Sequence, residues 1–302
     1  MFDVGRKPET SREAIAVAIV RVSPATIVLV NEGKSPKGDI VEVAKISATM
    51  AAKKTSELIP FCHPIPIDHI KVDVLIKEQH IEIITEVHSI SKTGVEMEAL
   101  TAASIAALTV YDMLKPIDDS LSIESIRLLK KTGGIGDFEK KSDIKLKAAV
   151  LVSSDSIAAG KGQDKSGKII VDRLSKNGFE VIKYEVVADD KKIIMNSLKN
   201  FCDELGVNLV ITCGGTGLGP RDVTPDATKE IIEKQVQGVS EMLRGYGQKR
   251  TPLSMLSRGV TGVRRNTVII NLPGSTRAVS ESLDALFPGI LHSFRMLSGH
   301  GH

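Results

Sequence analysis

Apolar residues alternate with polar ones from Arg12 to Val22, with Ile15, Val17 and Ile19 on one face, which predicts a strand. A polar stretch rich in turn formers, Asn31–Gly38, follows. Asp39 then opens a helix with Glu42 at the capping-box position, and the pattern carries that helix to Ile59, where Pro60 stops it. Val72–Ile76 and Ile81–Val87 alternate as two strands joined through Lys77–His80. A second helix starts at Thr93, with Glu96 again at the capping-box position, and ends before Pro116; Ser122–Leu129 supplies a last strand. The order β-α-β-β-α-β predicts an α+β, ferredoxin-like domain whose four-stranded sheet leaves one face free for contacts between copies.

The second half changes rhythm. Ala148–Val152 is continuously apolar, as in a strand buried on both faces, and Glu180–Val187, Val207–Thr212 and Thr267–Leu272 read as further strands. Helical periodicity fills Lys165–Asn177, Lys191–Leu205, Asp226–Lys234 and Ser275–Leu286. Strand and helix in alternation predict a doubly wound α/β domain with a mostly parallel sheet and a site at the strands' carboxyl ends. The polar stretch Phe138–Lys147 separates the halves, so the expected division is residues 1–140, a linker over 141–146, and residues 147–302.

Composition adds exclusions. At 302 residues the chain has room for two domains of about 150 residues each. It carries 42% hydrophobic and 25% charged residues, no apolar run of membrane length and no apolar leader after Met1, so no membrane association is expected. Three scattered cysteines, Cys62, Cys202 and Cys213, build neither a disulfide framework nor a zinc ribbon, which favours a cytoplasmic setting. Net charge is +3, with an acidic first half and a basic second half, and aromatics are 3% without Trp. That balance argues against a nucleic-acid partner and for small anionic substrates.

In the first half, Lys37 lies in a glycine-flanked loop before a helix N-terminus, where it serves either a phosphate or solvent. Asp112 and Lys115 share a helix face, as a surface ion pair or as a carboxylate kept ionised for proton transfer. Cys62-His63-Pro64 lacks a second ligand at metal spacing, leaving His63 as a donor to a heterocycle or a structural histidine. Glu96 reads as a cap, Met97 as core, and Lys131 as part of a basic or phosphate-contacting turn. Lys37-Gly-Asp, Leu58–Pro64, Lys92–Ser104 and Tyr111–Lys115 together resemble cyclic pyranopterin monophosphate synthase, an enzyme of molybdenum cofactor biosynthesis. The resemblance spans residues 3–138. It implies rearrangement of a cyclised dihydro-GTP to a pyranopterin with a cyclic phosphate, releasing pyrophosphate. It also implies catalytic roles for Lys37, Asp112 and Lys115, and substrate contacts from His63, Glu96 and Met97, with Lys131 in the adjoining turn; no cofactor is firmly implied. The turn after Lys131 is one residue shorter than the family pattern and lacks its second lysine.

In the second half, Gly214-Gly215-Thr216-Gly217 follows an apolar strand, where the backbone can approach a phosphate or a pterin closely. It is neither a nucleoside-triphosphate loop nor a dinucleotide fingerprint. Asp222, between Pro220 and Pro225, has no evident structural task and suits a Mg2+ ligand; Asp226 reads as a helix cap. Asp189 and Asp190 end another strand, and Asn271-Leu272-Pro273-Gly274-Ser275 forms a second glycine turn. These segments, with Val152–Asp155 and Arg221–Thr228, resemble the molybdopterin-binding domain family of the molybdopterin adenylyltransferase type, over residues 146–298. That implies activation of molybdopterin by Mg-ATP, with Asp222 and Asp189 as the functional aspartates. Non-catalytic pterin binding is the alternative. Both resembled families imply homo-oligomers with a threefold axis, a trimer or a hexamer.

Overall fold

The computed structural model describes residues 1–134 and 145–299, and the chain divides into two compact units, Met1–Phe138 and Glu139–His302. Most of the expected linker lies outside the described residues.

In the first unit, β1 (Thr10–Arg21), β2 (His69–Ile76), β3 (His80–Ser91) and β4 (Ser122–Gly133) form one antiparallel sheet in the order β2-β3-β1-β4. Four helices join them: α1 (Pro24–Asn31), α2 (Ile40–Lys53), the short α3 (Thr55–Leu58) and α4 (Glu96–Leu114). This is the ferredoxin-like topology the pattern predicts. The core is built from small residues. Ala99, Ala102, Ala103, Ala106 and Ala107 of α4 are fully buried with Ala14, Ala16 and Ala18 of β1, so helix and sheet approach closely. α4 has the length and apolar content of a membrane span, yet over half of it is buried inside the fold.

Four local readings change. Pro24–Asn31, to which the pattern assigns no element, is a helix: Ser23 caps it, accepting from Thr26 N, and Pro24 presets its first turn. The helix expected to reach Ile59 breaks at Lys54, where the Thr55 hydroxyl takes the carbonyls of Ala51 and Ala52 at 3.2 and 3.0 Å. The second helix begins at Glu96 with no side-chain cap; Ser91 Oγ donates to Thr93 O, and the Glu96 carboxylate turns to Lys131. Asp39 does cap α2, accepting from Val41 N and Glu42 N, but Glu42 pairs with Lys45 instead of completing the box.

The second unit holds a six-stranded sheet. In chain order its strands are β5 (Leu146–Ser153), β6 (Phe179–Val187), β7 (Leu209–Cys213), β8 (Lys234–Gln235), β9 (Thr261–Arg264) and β10 (Thr267–Leu272). The spatial order is β6-β5-β7-β10-β9-β8, parallel from β6 to β10 and antiparallel at the β9-β8 edge. β5 opens at Leu146, inside the stretch expected as linker. The helices are α5 (Asp155–Ala158), α6 (Ser166–Lys176), α7 (Lys191–Lys199), α8 (Thr224–Ile231), α9 (Gln237–Gln248), α10 (Thr276–Leu286) and α11 (Leu291–Leu297). A π-helical turn, Asn200–Glu204, extends α7, and a 3-10 turn, Pro252–Leu256, follows α9. α6, α10 and α11 cover one sheet face, α7 and α8 the other, each over its own apolar cluster.

Candidate functional site

The Lys37 loop and the end of α4 meet in the first unit. Lys37 Nζ donates to Asp112 Oδ2 at 2.6 Å and to Asp112 O at 2.9 Å, while Lys115 Nζ stands 2.7 Å from Asp112 Oδ1. One carboxylate therefore bridges two ammonium groups. The Lys115 hydrogen bond, followed by that of Lys37, lowers the Asp112 pKa to about 2, and Asp112 in turn raises that of Lys115.

Glu96, Met97 and Lys131 lie at the opposite end of α4, where Lys131 Nζ is 3.3 Å from Glu96 Oε1 and Met97 is exposed. The Cys-His-Pro loop is at that end too, since Pro66, two residues on, accepts at its carbonyl from Ser89 Oγ at 2.6 Å where β3 leads into α4; His63 Nε2 lies 2.9 Å from Phe2 O. At 1.5 Å per residue, Glu96 and Asp112 are about 24 Å apart along the helix. A single chain thus gathers the candidate residues into two groups, not one. Glu98, which sequence reasoning missed, is buried at this end, and burial raises its pKa. Its signal was the second acid of Glu-Met-Glu, two positions from Glu96.

Among the described residues, one trio (Glu13, Glu86 and His88) has ligand atoms within 4.8 Å of one another. Glu13 is already engaged there by Lys130 at 3.0 Å and by Thr132 at 2.9 Å.

In the second unit the loops after β5, β6 and β7 converge at the sheet's carboxyl edge. Gly214 has φ +98°, and a Cβ on it would collide with Ser153 O, so glycine alone fits between these strands. A Cβ on Gly215 would lie 3.2 Å from Asp189 Oδ1, and one on Gly217 2.8 Å from Asp222 Oδ2. Two carboxylates from different loops therefore flank the same glycine turn. Asp189 Oδ1 accepts from Ser153 Oγ at 2.6 Å and Oδ2 from Asp155 N at 3.0 Å; Asp190 is the cap of α7. Asp222 Oδ2 accepts from Gly219 N at 2.8 Å.

Asp226 is not a cap. α8 starts at Thr224 without one, and Asp226 instead takes both Nη atoms of Arg258, at 2.8 and 3.3 Å. Arg258, missed in the sequence, also donates to Gly217 O and Asp222 O at 2.9 and 2.5 Å, locking the glycine loop to the Asp222 loop.

A cavity of about 390 Å3 opens beside this edge, lined by the predicted Thr216, Gly217, Asn271, Pro273 and Ser275. Part of its wall, including Arg244, Tyr246 and Ser254, comes from α9 and the 3-10 turn, which the pattern did not foresee, and part from α10, including Ala278 and Glu281. Several predicted contacts have structural tasks as well. Asn271 Nδ2 donates to Thr212 and Thr228 hydroxyls at 3.0 and 2.9 Å, and Oδ1 accepts from Val260 N at 3.1 Å. Gly274 O accepts from Ser166 Oγ at 2.7 Å, Pro273 O from Cys213 Sγ at 3.4 Å, and Ser275 caps α10.

Mg2+ takes one or two carboxylates with water and phosphate oxygens completing its shell. Asp189 and Asp222, beside a turn that admits no Cβ, suit that donor set.

Comparison with known proteins agrees with the division into two units. Residues 1–134 match the MoaC family and residues 149–292 the probable molybdopterin binding domain. A molybdenum cofactor biosynthesis bifunctional protein of Chlorobaculum tepidum is 42% identical over 302 residues, covering 100% of this chain and 96% of that one. A cyclic pyranopterin monophosphate synthase of Thermomicrobium roseum is 50% identical over 145 residues, covering 47% of this chain and 87% of its own. The crystal structure of the molybdopterin biosynthesis enzyme MoaB from Thermus thermophilus is 41% identical with a TM-score of 0.49, covering 51% of this chain and 97% of that one. The chain belongs to the molybdenum cofactor biosynthesis bifunctional proteins, a MoaC family domain and a molybdopterin-binding domain in one polypeptide.

Proposed function

We propose that the first unit converts cyclised dihydro-GTP to cyclic pyranopterin monophosphate with release of pyrophosphate, and that the second adenylylates molybdopterin with Mg-ATP. The bridging of Lys37 and Lys115 by Asp112 carries the first reading. With its pKa near 2, the Asp112 carboxylate is ionised at neutral pH and holds both lysines as ammonium groups; once Lys37 has given its proton to the substrate, Asp112 can relay the Lys115 proton to the neutral amine left behind. Lys37 then acts as general acid and as a cation for the departing pyrophosphate, neither of which requires a neutral amine. Because Glu96, Met97, Lys131 and His63 sit at the far end of α4, the substrate site of this reading is completed by a second copy of the chain, in keeping with a trimer or hexamer. Lys37→Ala should lower turnover by about a hundredfold to ten-thousandfold. Turnover within threefold of wild type in that variant would remove Lys37 from the mechanism.

For the second unit, the pairing of Asp189 and Asp222 across a glycine turn, next to a pterin-sized cavity, supports nucleotide activation. Bound there with ATP, Mg2+ would neutralise phosphate charge. Backbone N–H groups of the glycine turn would face the phosphates, Arg258 fixes that turn, and the cavity wall from Thr216 to Ser275 would hold the pterin. Adenylylation of molybdopterin by the whole chain, beside Asp222→Ala, is the test. Loss in the variant is the expected result; a wild-type chain that binds molybdopterin without adenylylating it would make the unit a pterin-binding module.

A further inference from the structure

We propose that Asp155 is a positioning residue of the second site, which holds Arg221 away from Asp189 and so keeps the Asp189 carboxylate open to a divalent cation on a nucleotide phosphate. The inference rests on the nucleotide-binding reading of that site. Asp155 stands where three loops meet. Its Oδ1 accepts from Asp189 N at 3.0 Å and from Arg221 Nη2 at 2.7 Å, and its Oδ2 accepts from Arg221 Nε at 3.0 Å. In return, Asp155 N donates to Asp189 Oδ2 at 3.0 Å. One side chain thus orients the Asp189 backbone and occupies two donors of the guanidinium beside it.

Arg221 has other anions within electrostatic reach. Its pKa is raised first by Asp155, and then by the charges of Asp189 and Asp190. Released from Asp155, the guanidinium would have the Asp189 carboxylate beside it, since Asp189 Oδ2 accepts from the N–H of the same residue that now holds Arg221, and it could form there the bidentate pair it now makes with Asp155. A metal ion would then have to displace it. The Asp155–Arg221 pair is itself largely exposed, at 48% and 60%, and so open an ion pair adds little to folding. What it supplies is a parking place for a competing cation.

The test is Mn2+ binding to the full-length chain in the presence of α,β-methylene-ATP, followed by the spin resonance of free Mn2+, with melting temperature recorded beside it. Asp155→Ala should weaken half-saturation by about 10- to 100-fold, the range for residues that orient a metal ligand. Arg221→Gln alone should bind as wild type, and Asp155→Ala/Arg221→Gln should recover most of the loss. Asp155→Asn, which keeps an acceptor for Asp189 N but not the charge that holds Arg221, should fall between. A double variant as weak as Asp155→Ala would overturn the competition argument, and so would an Asp155→Ala chain that binds Mn2+ normally. A wild-type chain with no nucleotide-dependent Mn2+ binding would fail one step earlier, sinking the nucleotide reading itself.

Discussion

At the scale of single residues, ionisation separates the groups that work in solvent from those that work in the frame. Asp112 titrates at about 2 in the folded chain against an ordinary 3.8, because Lys115 and Lys37 bond its charged form. A depressed carboxylate stabilises the fold above its unfolded pKa, and that contribution is lost as pH falls through the folded value. The melting temperature of wild type should therefore drop more than that of Asp112→Asn between about pH 4 and about pH 2; parallel curves would contradict the pairing. The cysteines make the opposite case. Burial pushes the Cys202 thiol up to about 11 and Cys213 to about 12, whereas Cys62 is only partly buried. An aromatic disulfide reagent at mildly alkaline pH should modify Cys62 in the native chain and all three thiols only in denaturant.

At the scale of elements, legibility followed how local the forces are. Asp39 could be read as a cap because its own side chain meets the next turn. Thr93 and Glu96 showed the same spacing and did not cap, since Glu96 is drawn to Lys131 on a strand remote in sequence. Pro24–Asn31 hid a helix behind β-branched residues, and α9 was obscured by Gly238, Gly245 and Gly247. Three of the parallel strands, β5, β7 and β10, are apolar and buried along almost all their length, and they were the plainest signal. The candidate residues were legible from their motifs, but Arg258 and the α9 wall were not, because their partners are distant in the chain. Packing gives this scale its predictions. The alanine-lined seam of α4 has no room to expand, so Ala103→Leu should cost about 1–3 kcal/mol or more in urea unfolding. Gly214→Ala should cost at least about 1 kcal/mol, since its φ is left-handed and a neighbouring carbonyl occupies the Cβ position.

At the scale of the whole molecule, the two units keep separate cores, and the candidate residues of the first unit are divided between the ends of one helix. If a second copy completes the first unit's site, Lys37→Ala and Glu96→Ala chains, each inactive alone, should regain synthase activity when unfolded together and refolded as mixed oligomers. No recovery would place all the working groups within one chain. Lys37→Ala should also leave the second unit's molybdopterin affinity unchanged, because Lys37 bonds Asp112 within the first unit and substitutions that share no partner act independently.

Asn271 has a consequence of another kind. All but one of the hydrogen bonds its amide can make are spent inside the fold, on Thr212, Thr228 and Val260. The residue that most invites a ligand-binding reading is thus also the rivet joining β7, α8 and the segment before β9 to β10. A descendant that lost its chemistry would still need that rivet. The Asn-Leu-Pro-Gly signature therefore dates the architecture rather than the activity, and a relative that keeps it while losing Asp222 would be a fossil of the catalyst, folded but silent.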